Sequence, residues 1–291
     1  MSESHHDQLL KVAKSSPAAV AVKDRDAWMS IFASYNIVED PIGSRPHVSG
    51  VFDGREGRRG QGPLQRFYDT FISPNEIRFR VAQDVVLGQT VCRELVIELG
   101  MNEKVKAEVP MHAFYDMVQE GGEFKVCRLA AHWELMPMVL QVMGKGLAGM
   151  MAMLGLGWRM VRIQRLGGVL GFCLGFRGIH GRGKELVADF SRAVETKNSA
   201  WLNSIFHSEH SEILVPSANP SQGQAVTLQH PAKFLVDNDI TVATSSMISA
   251  GYCVTCVIDV QCDGESHHGI GMFEFNARSR RLDRVKLFWN Q

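Results

Sequence analysis

The sequence has little with which to build a disulfide framework, a membrane span or a polyanion-binding surface. Six cysteines in 291 residues are too few for the staples of a small secreted domain, and a chain of this length buries a core without them. Charged residues make up only 21%, and 31 basic groups cancel 31 acidic ones. No global field therefore draws a nucleic acid, and no basic patch interleaved with aromatics supplies a local one. Long hydrophobic runs are missing too. The charge-free stretches 146–158 and 166–176 fall short of the roughly 20 residues a bilayer core requires. The start, MSESHHDQLLKV, lacks the basic region, apolar core and small-residue cleavage site of a secretory signal, which predicts a cytoplasmic protein with reduced thiols.

Metal and nucleotide chemistry find no purchase either. Cys253 and Cys256 form a CxxC, but they lie in a β-branched run where residues three apart point to opposite faces, so they share no ion. The pairs His5/His6, His207/His210 and His267/His268 have no Cys or carboxylate spacing to complete a site and read as solvated or structural. No glycine-rich segment follows a strand and opens a helix in the order a phosphate-binding loop needs. No metal and no cofactor is expected.

What is present is a segregation hidden inside the zero net charge. Residues 1–135 carry −3, 136–184 carry +7 with no acid at all, and 185–291 carry −4. The middle also holds seven of the 14 methionines and many glycines. Two readings of 136–184 are open: a linker that packs Met and Leu over a domain surface, or an interfacial segment that meets anionic lipid or collects an apolar ligand. The flanks look like copies of one unit. Ala27-Trp28 through Ile31-Phe32 recurs as Ala200-Trp201 through Ile205-Phe206, and Arg128 precedes Trp133 as Arg284 precedes Trp289, by five residues each time. This predicts domains at 1–135 and 185–291, joined by a basic apolar connector and able to pair as an intramolecular pseudo-dimer.

Within the first unit, helices come before strands. His6 to Val22 suits a helix broken or kinked by Pro17, Asp24 suits the N-cap of a second helix, and Ile37 to Asp40 suits a short strand. Leu64, Phe67, Tyr68 and Phe71 form the i, i+3, i+4, i+7 stripe of a third helix opened by Pro63. Five strand-like runs follow up to Trp133, and the second unit repeats the order. The fold class is α+β, with helices on one face of a curved antiparallel sheet.

One stretch is more specific. Residues 32–46 read FASYNIVEDPIGSRP: a helix-ending Phe, an Asp eight residues on, then Pro-hydrophobic-Gly-Ser-x-Pro, with Phe67-Tyr68 in the next helix. This closely resembles the bacterial ketosteroid isomerases of the nuclear-transport-factor-2-like, SnoaL-like superfamily. The resemblance implies two cone-shaped domains, each a curved sheet against about three helices around an apolar pocket. It also implies Asp40 as the general base that moves a proton beside a carbonyl, a chemistry for which the ketosteroid isomerases are a standard physical example. It implies Trp28, Phe32, Phe67, Phe114 and Trp133 as pocket residues and a small hydrophobic, steroid-like molecule as ligand. The oxyanion donors depart from the pattern. Ser16 stands where the family has Tyr, and His112, or Phe114 under a shifted alignment, stands where it has Asp. Tyr68 and His112 are the remaining candidate donors. The second unit offers Val215-Pro216 in place of the base and is expected to lack catalytic residues. The insert Val48–Gly62, with Arg55, Arg58 and Arg59, reads as a solvated loop, a lid or an anion-binding loop.

Competing functions on the same fold are a non-catalytic module for a hydrophobic ligand or a protein, and a SnoaL-like polyketide cyclase. An epoxide hydrolase would need an Asp-Arg-Asp set that cannot be assembled around Asp40 from the sequence.

Overall fold

The computed structural model describes residues 4–52, 55–56, 62–208, 211–216, 225–238, 240–262 and 264–289. Helix α1 (His5–Ala21) is capped by Ser4 and continues through Pro17, so Pro17 does not end it. Pro17 cannot donate to the carbonyl of Ala13 four residues back. That carbonyl instead accepts from Arg93 Nη1 at 3.2 Å. The Arg93 side chain is 3% exposed and pairs with Asp84 at 2.7 Å, so a buried guanidinium takes the place of the missing backbone donor.

Helix α2 (Arg25–Ser30) has Asp24 as its N-cap, accepting from Ala27 N at 2.9 Å. Strand β1 (Phe32–Glu39) begins at once, earlier than Ile37. Short strands β2 (His47–Ser49), β3 (Val51–Phe52) and β4 (Arg55–Glu56) follow. The expectation for the Val48–Gly62 insert rests on Arg55, Arg58 and Arg59, whose side chains lie outside the described residues. Helix α3 (Gly62–Phe67) widens into a π-helical turn, Tyr68–Ile72, closed by Ser73 N donating to Tyr68 O at 2.9 Å.

The long strands β5 (Glu76–Leu87), β6 (Thr90–Asn102), β7 (Val105–Glu120) and β8 (Glu123–His132) complete a six-stranded sheet of order β2-β1-β8-β7-β6-β5. The sheet is mixed rather than wholly antiparallel, because β1 pairs in parallel with β8. No hairpin joins these two strands, so no tight turn dictates their direction.

Residues expected as a connector continue as helices α4 (Leu135–Met143) and α5 (Leu147–Cys173), the latter bent at Arg165. Met138, Val142, Leu156 and Met160 are buried. The two helices approach closely at Gly149, where a Cβ would lie 1.8 Å from the carbonyl oxygen of Val142. Among the described residues no helix is long and apolar enough to cross a membrane.

The rest of the chain repeats the plan: α6 (His180–Glu195), α7 (Ser199–Ile205), β9 (Glu212–Pro216), β10 (Ala225–Gln229), α8 (Pro231–Asp237), then β11 (Thr241–Ala250), β12 (Cys253–Cys262), β13 (Glu265–Phe275) and β14 (Leu282–Trp289). Its sheet order, β10-β9-β14-β13-β12-β11, is the first order translated, including the parallel pair β9 and β14. The chain divides into two compact units, residues 1–84 with 89–176, and residues 177–291 with 85–88. Helices α4 and α5 thus belong to the first unit. In the second unit Phe190, Phe206, Phe273 and Trp289 are core residues, and Val215, at the position matching Asp40, is buried among them. Cys253 and Cys256 are both buried thiols outside any disulfide, and among the described residues no group of His, Cys, Asp or Glu is placed to hold a metal.

Candidate active site

Asp40 sits where β1 ends. Glu39 pairs with Ala130 of β8, Ile42 N donates to Ala131 O at 2.9 Å, and Ser44 Oγ donates to Pro41 O at 2.7 Å. The turn is therefore stitched to β8 on one side and to itself on the other. Trp133, the first residue after β8, donates its Nε1–H to Asp40 Oδ1 at 2.5 Å. Among the described residues this is the one hydrogen bond to the carboxylate, and it leaves Oδ2 for a proton.

The carboxylate faces a cavity of about 110 Å³. Its wall comes from Phe67, Phe71 and Ile72 of α3 and the π turn, Ile97 and Leu99 of β6, Val109 and Met111 of β7, and Met138, Leu156 and Phe172 of α4 and α5. Asp40 is the one ionisable group among the described lining residues, and Asn75 the one other polar side chain apart from the Trp133 indole. Burial in this wall pushes the Asp40 pKa from 3.8 up to about 6, with the Trp133 hydrogen bond pulling the other way. Asn75 donates Nδ2–H to Phe71 O at 2.7 Å. A primary amide carries two such hydrogens, so one remains.

The expected site residues divide. Asp40, Phe67 and Trp133 come together at the cavity. Trp28 and Phe32 stand behind it: Trp28 stacks on Phe67 at 5.9 Å and meets Phe32 edge-on at 4.8 Å. Tyr68 does not reach the cavity. It packs on Trp28 at 5.5 Å and borders a surface depression with Lys23, Asp24 and Asp69. The π turn is the reason, since an i to i+5 bond rotates the side chains that follow and brings Phe71 and Ile72 to the wall instead.

His112 and Phe114 also leave the site. Strand side chains alternate, and Val109 and Met111 hold the cavity face of β7, so His112 and Phe114 lie on the other. There Phe114 meets His132 edge-on at 5.2 Å. Burial lowers the His112 pKa to about 4, which keeps the imidazole neutral.

The sequence reading missed Asn75, because an Asn after Pro74 reads as a turn residue. It also missed Tyr115, which shares the cavity face of β7. Burial raises the Tyr115 pKa, the Ser16 hydroxyl lowers it by hydrogen bonding, and the Asp40 charge raises it again. Ser16 in turn accepts from Trp28 Nε1 at 3.2 Å. A polar chain thus occupies the region where the resemblance leads one to expect a single tyrosine.

Among the described lining residues the hydrolase set is absent. The nearest analogue in composition, Arg128 with Glu39 at 2.7 Å and Asp116 at 3.3 Å, involves the opposite face of β7.

No protein-family model and no curated protein matches the chain. Among solved structures it is similar to the Δ5-3-ketosteroid isomerase of a Mycobacterium species, at 28% identity and a TM-score of 0.37 over 45% of this chain and 96% of that one. It is similar to RV0760c of Mycobacterium tuberculosis, at 22% identity and a TM-score of 0.38 over 46% and 96%. It is also similar to SalBIII, an epoxide hydrolase/cyclase-like enzyme of pyran-ring formation in salinomycin, at 14% identity and 0.38 over 46% and 95%. Slightly under half of this chain spans nearly the whole of each of these proteins.

Proposed function

We propose that the first unit catalyses proton transfer on a hydrophobic carbonyl compound, with Asp40 as general base. In its concrete form the reaction is isomerisation of a β,γ-unsaturated ketone. The observation that carries this reading is a single desolvated carboxylate in an otherwise apolar cavity, with one oxygen held by Trp133 and the other unengaged. A base with a pKa of about 6 is ionised at neutral pH, yet basic enough to accept a proton α to a carbonyl and return it to the γ carbon. The charge that develops on the carbonyl oxygen needs a donor. Asn75 is the lining side chain with an N–H to spare, and we assign it that role in place of Tyr68 and His112.

Size sharpens the substrate class. A cavity of about 110 Å³ is well below the roughly 300 Å³ at which pockets for drug-sized ligands begin. With α5 in its observed position the pocket suits a small cyclic or branched ketone, and a steroid skeleton fits only after α4 and α5 move. The alternative, a ligand-binding module without catalysis, is favoured by the lack of the usual donor pair. Asp40→Asn decides between them: turnover of a β,γ-unsaturated ketone should fall by about 10²–10⁴-fold while the ketone still binds. Equal turnover by the variant would refute the base, and binding with no turnover by the wild type would establish the module.

A further inference from the structure

Beside the apolar cavity, and sharing its Phe71 and Phe172 walls, lies a cleft of about 520 Å³ lined by Arg45, Arg66, Arg165 and His47. Among the described lining residues there is no carboxylate. Two of the arginines are placed at a cost or by a special fit. Arg165 sits at the bend of α5 with φ 62° and ψ 179°, a backbone region that is essentially glycine's own, and such strain persists where the surroundings require it. It has no hydrogen-bond or ion-pair partner among the described residues. Arg45 is seated in a notch of α5: a Cβ on Gly171 would lie 2.8 Å from Arg45 Cβ, and Arg45 N donates to Gly171 O at 2.9 Å. His47 is kept neutral by burial and then by the Arg66 charge, a sign of the positive potential there.

We propose that this cleft binds the anionic head of an amphiphile, a phosphate, sulfate or carboxylate, whose apolar part enters the Asp40 cavity. The apolar half of the assignment rests on the cavity being a ligand pocket. Guanidinium forks suit such oxyanions, and the shared Phe71 and Phe172 walls join head site to tail site. Calorimetric titration of the full chain with octyl phosphate, octanol and inorganic phosphate tests it. Octyl phosphate should bind at least about tenfold more tightly than octanol, inorganic phosphate should compete, and Arg165→Gly should abolish the advantage while raising Tm by relieving the strain. Equal affinity for octyl phosphate and octanol, or an advantage that survives Arg165→Gly, would overturn the anion site. Phosphate binding lost in Arg165→Gly with no binding of either octyl compound would overturn the amphiphile assignment and the cavity reading together.

A separate observation concerns the outer side of the same helices. Leu147, Met150, Met151, Leu154, Trp158 and Val161 of α5 are all exposed, Leu147 and Trp158 by about 70%. At 3.6 residues per turn they fall within an arc of about 100°, opposite the buried Leu156 and Met160. A helix apolar on both faces has one face still to cover. The surrounding segment 136–184 carries seven basic residues and no acid, and exposed Arg162 follows Val161 directly on the helix.

We infer that this face docks on a bilayer surface with anionic headgroups, the occupant that matches an apolar stripe, a tryptophan and cationic flanks at once. Flotation of the full chain with phosphatidylcholine vesicles, with and without phosphatidylglycerol, is the test. Binding should require phosphatidylglycerol, weaken with salt, shift Trp158 emission to the blue, and be lost in Leu154→Glu and reduced in Arg162→Glu. No flotation, or flotation equal on neutral vesicles, would overturn it, as would a dimer in sedimentation velocity that Leu154→Glu dissociates without any vesicle binding.

Discussion

Replacing Asp40 by Asn should stabilise the first unit, and the gain should depend on pH. Burial raises the Asp40 pKa from 3.8 to about 6, so the folded chain holds this proton more tightly than the unfolded chain does. The group's favourable contribution is then fully present below pH 3.8 and is lost as pH rises through 6, where the folded protein must carry a desolvated charge. The interval between 3.8 and about 6 is worth about 3 kcal/mol at 1.36 kcal/mol per pKa unit. Asn is nearly isosteric and its Oδ1 still accepts from Trp133 Nε1, so the exchange removes the charge and little else. For a unit of this size about 2–4 °C of Tm accompanies each kcal/mol, which predicts a rise of roughly 6–12 °C at pH 7.5 and almost none at pH 4. Scanning calorimetry of both proteins across that range is the assay. A gap that is the same at pH 4 and pH 7.5, or a variant less stable than wild type at pH 7.5, would refute the claim that desolvation dominates at this carboxylate.

Trp133→Phe should move the acid limb of the kcat/KM profile above pH 6, because the lost hydrogen bond is what lowers the Asp40 pKa; an unmoved limb would show that the indole does not hold the carboxylate. Arg93→Met should cost about 1.5–3 kcal/mol by removing the buried guanidinium that bonds Asp84 and the Ala13 carbonyl, with Lys14 still 3.9 Å from Asp84, and adding Pro17→Ala should return part of it, since the substitution restores a backbone N–H that can bond the Ala13 carbonyl that Arg93 now serves. Chemical denaturation of the two variants measures both, and no recovery in the double variant would sink the account of why Pro17 is tolerated. Gly149→Ala should cost about 1–3 kcal/mol, because its Cβ would overlap Val142 O at 1.8 Å and force α4 off α5; a neutral result would mean that the two helices part readily.

Asp40 was legible because its motif is local: an Asp before Pro, followed by Gly and Ser, closes a turn whatever surrounds it, and Ser44 does bond Pro41. The strands were legible because β-branched runs of this length have few alternatives. Tyr68 was misplaced because counting at 3.6 residues per turn assumes a uniform helix, and nothing in Leu64 to Phe71 announces the wider turn that begins at Tyr68. His112 was misplaced for a different reason. Its face follows from parity once Val109 is known to point inward, but alignment on Val109-Pro110 carries position without orientation. Helices α4 and α5 were hidden by their glycines, which read as breakers. At Gly149 and Gly171 the absence of a side chain is instead what lets α4 and Arg45 approach.

The size of the cavity and the charge of the segment that closes it are one problem. Met138, Leu156 and Phe172 belong to α4 and α5, so the volume open to a ligand is fixed by where these helices lie, not by the sheet alone. Inward, the segment must be apolar to wall a pocket that desolvates Asp40, and any carboxylate of its own near the cavity would oppose the ionisation a base requires. Outward, the same helices expose an apolar stripe that water does not favour. An acid-free, methionine-rich segment meets both demands: it adds no negative charge near the base, and its flexible side chains pack against irregular partners on either face. The +7 between two acidic halves then follows from the apolar wall that Asp40 requires inward and the anionic surface we propose outward.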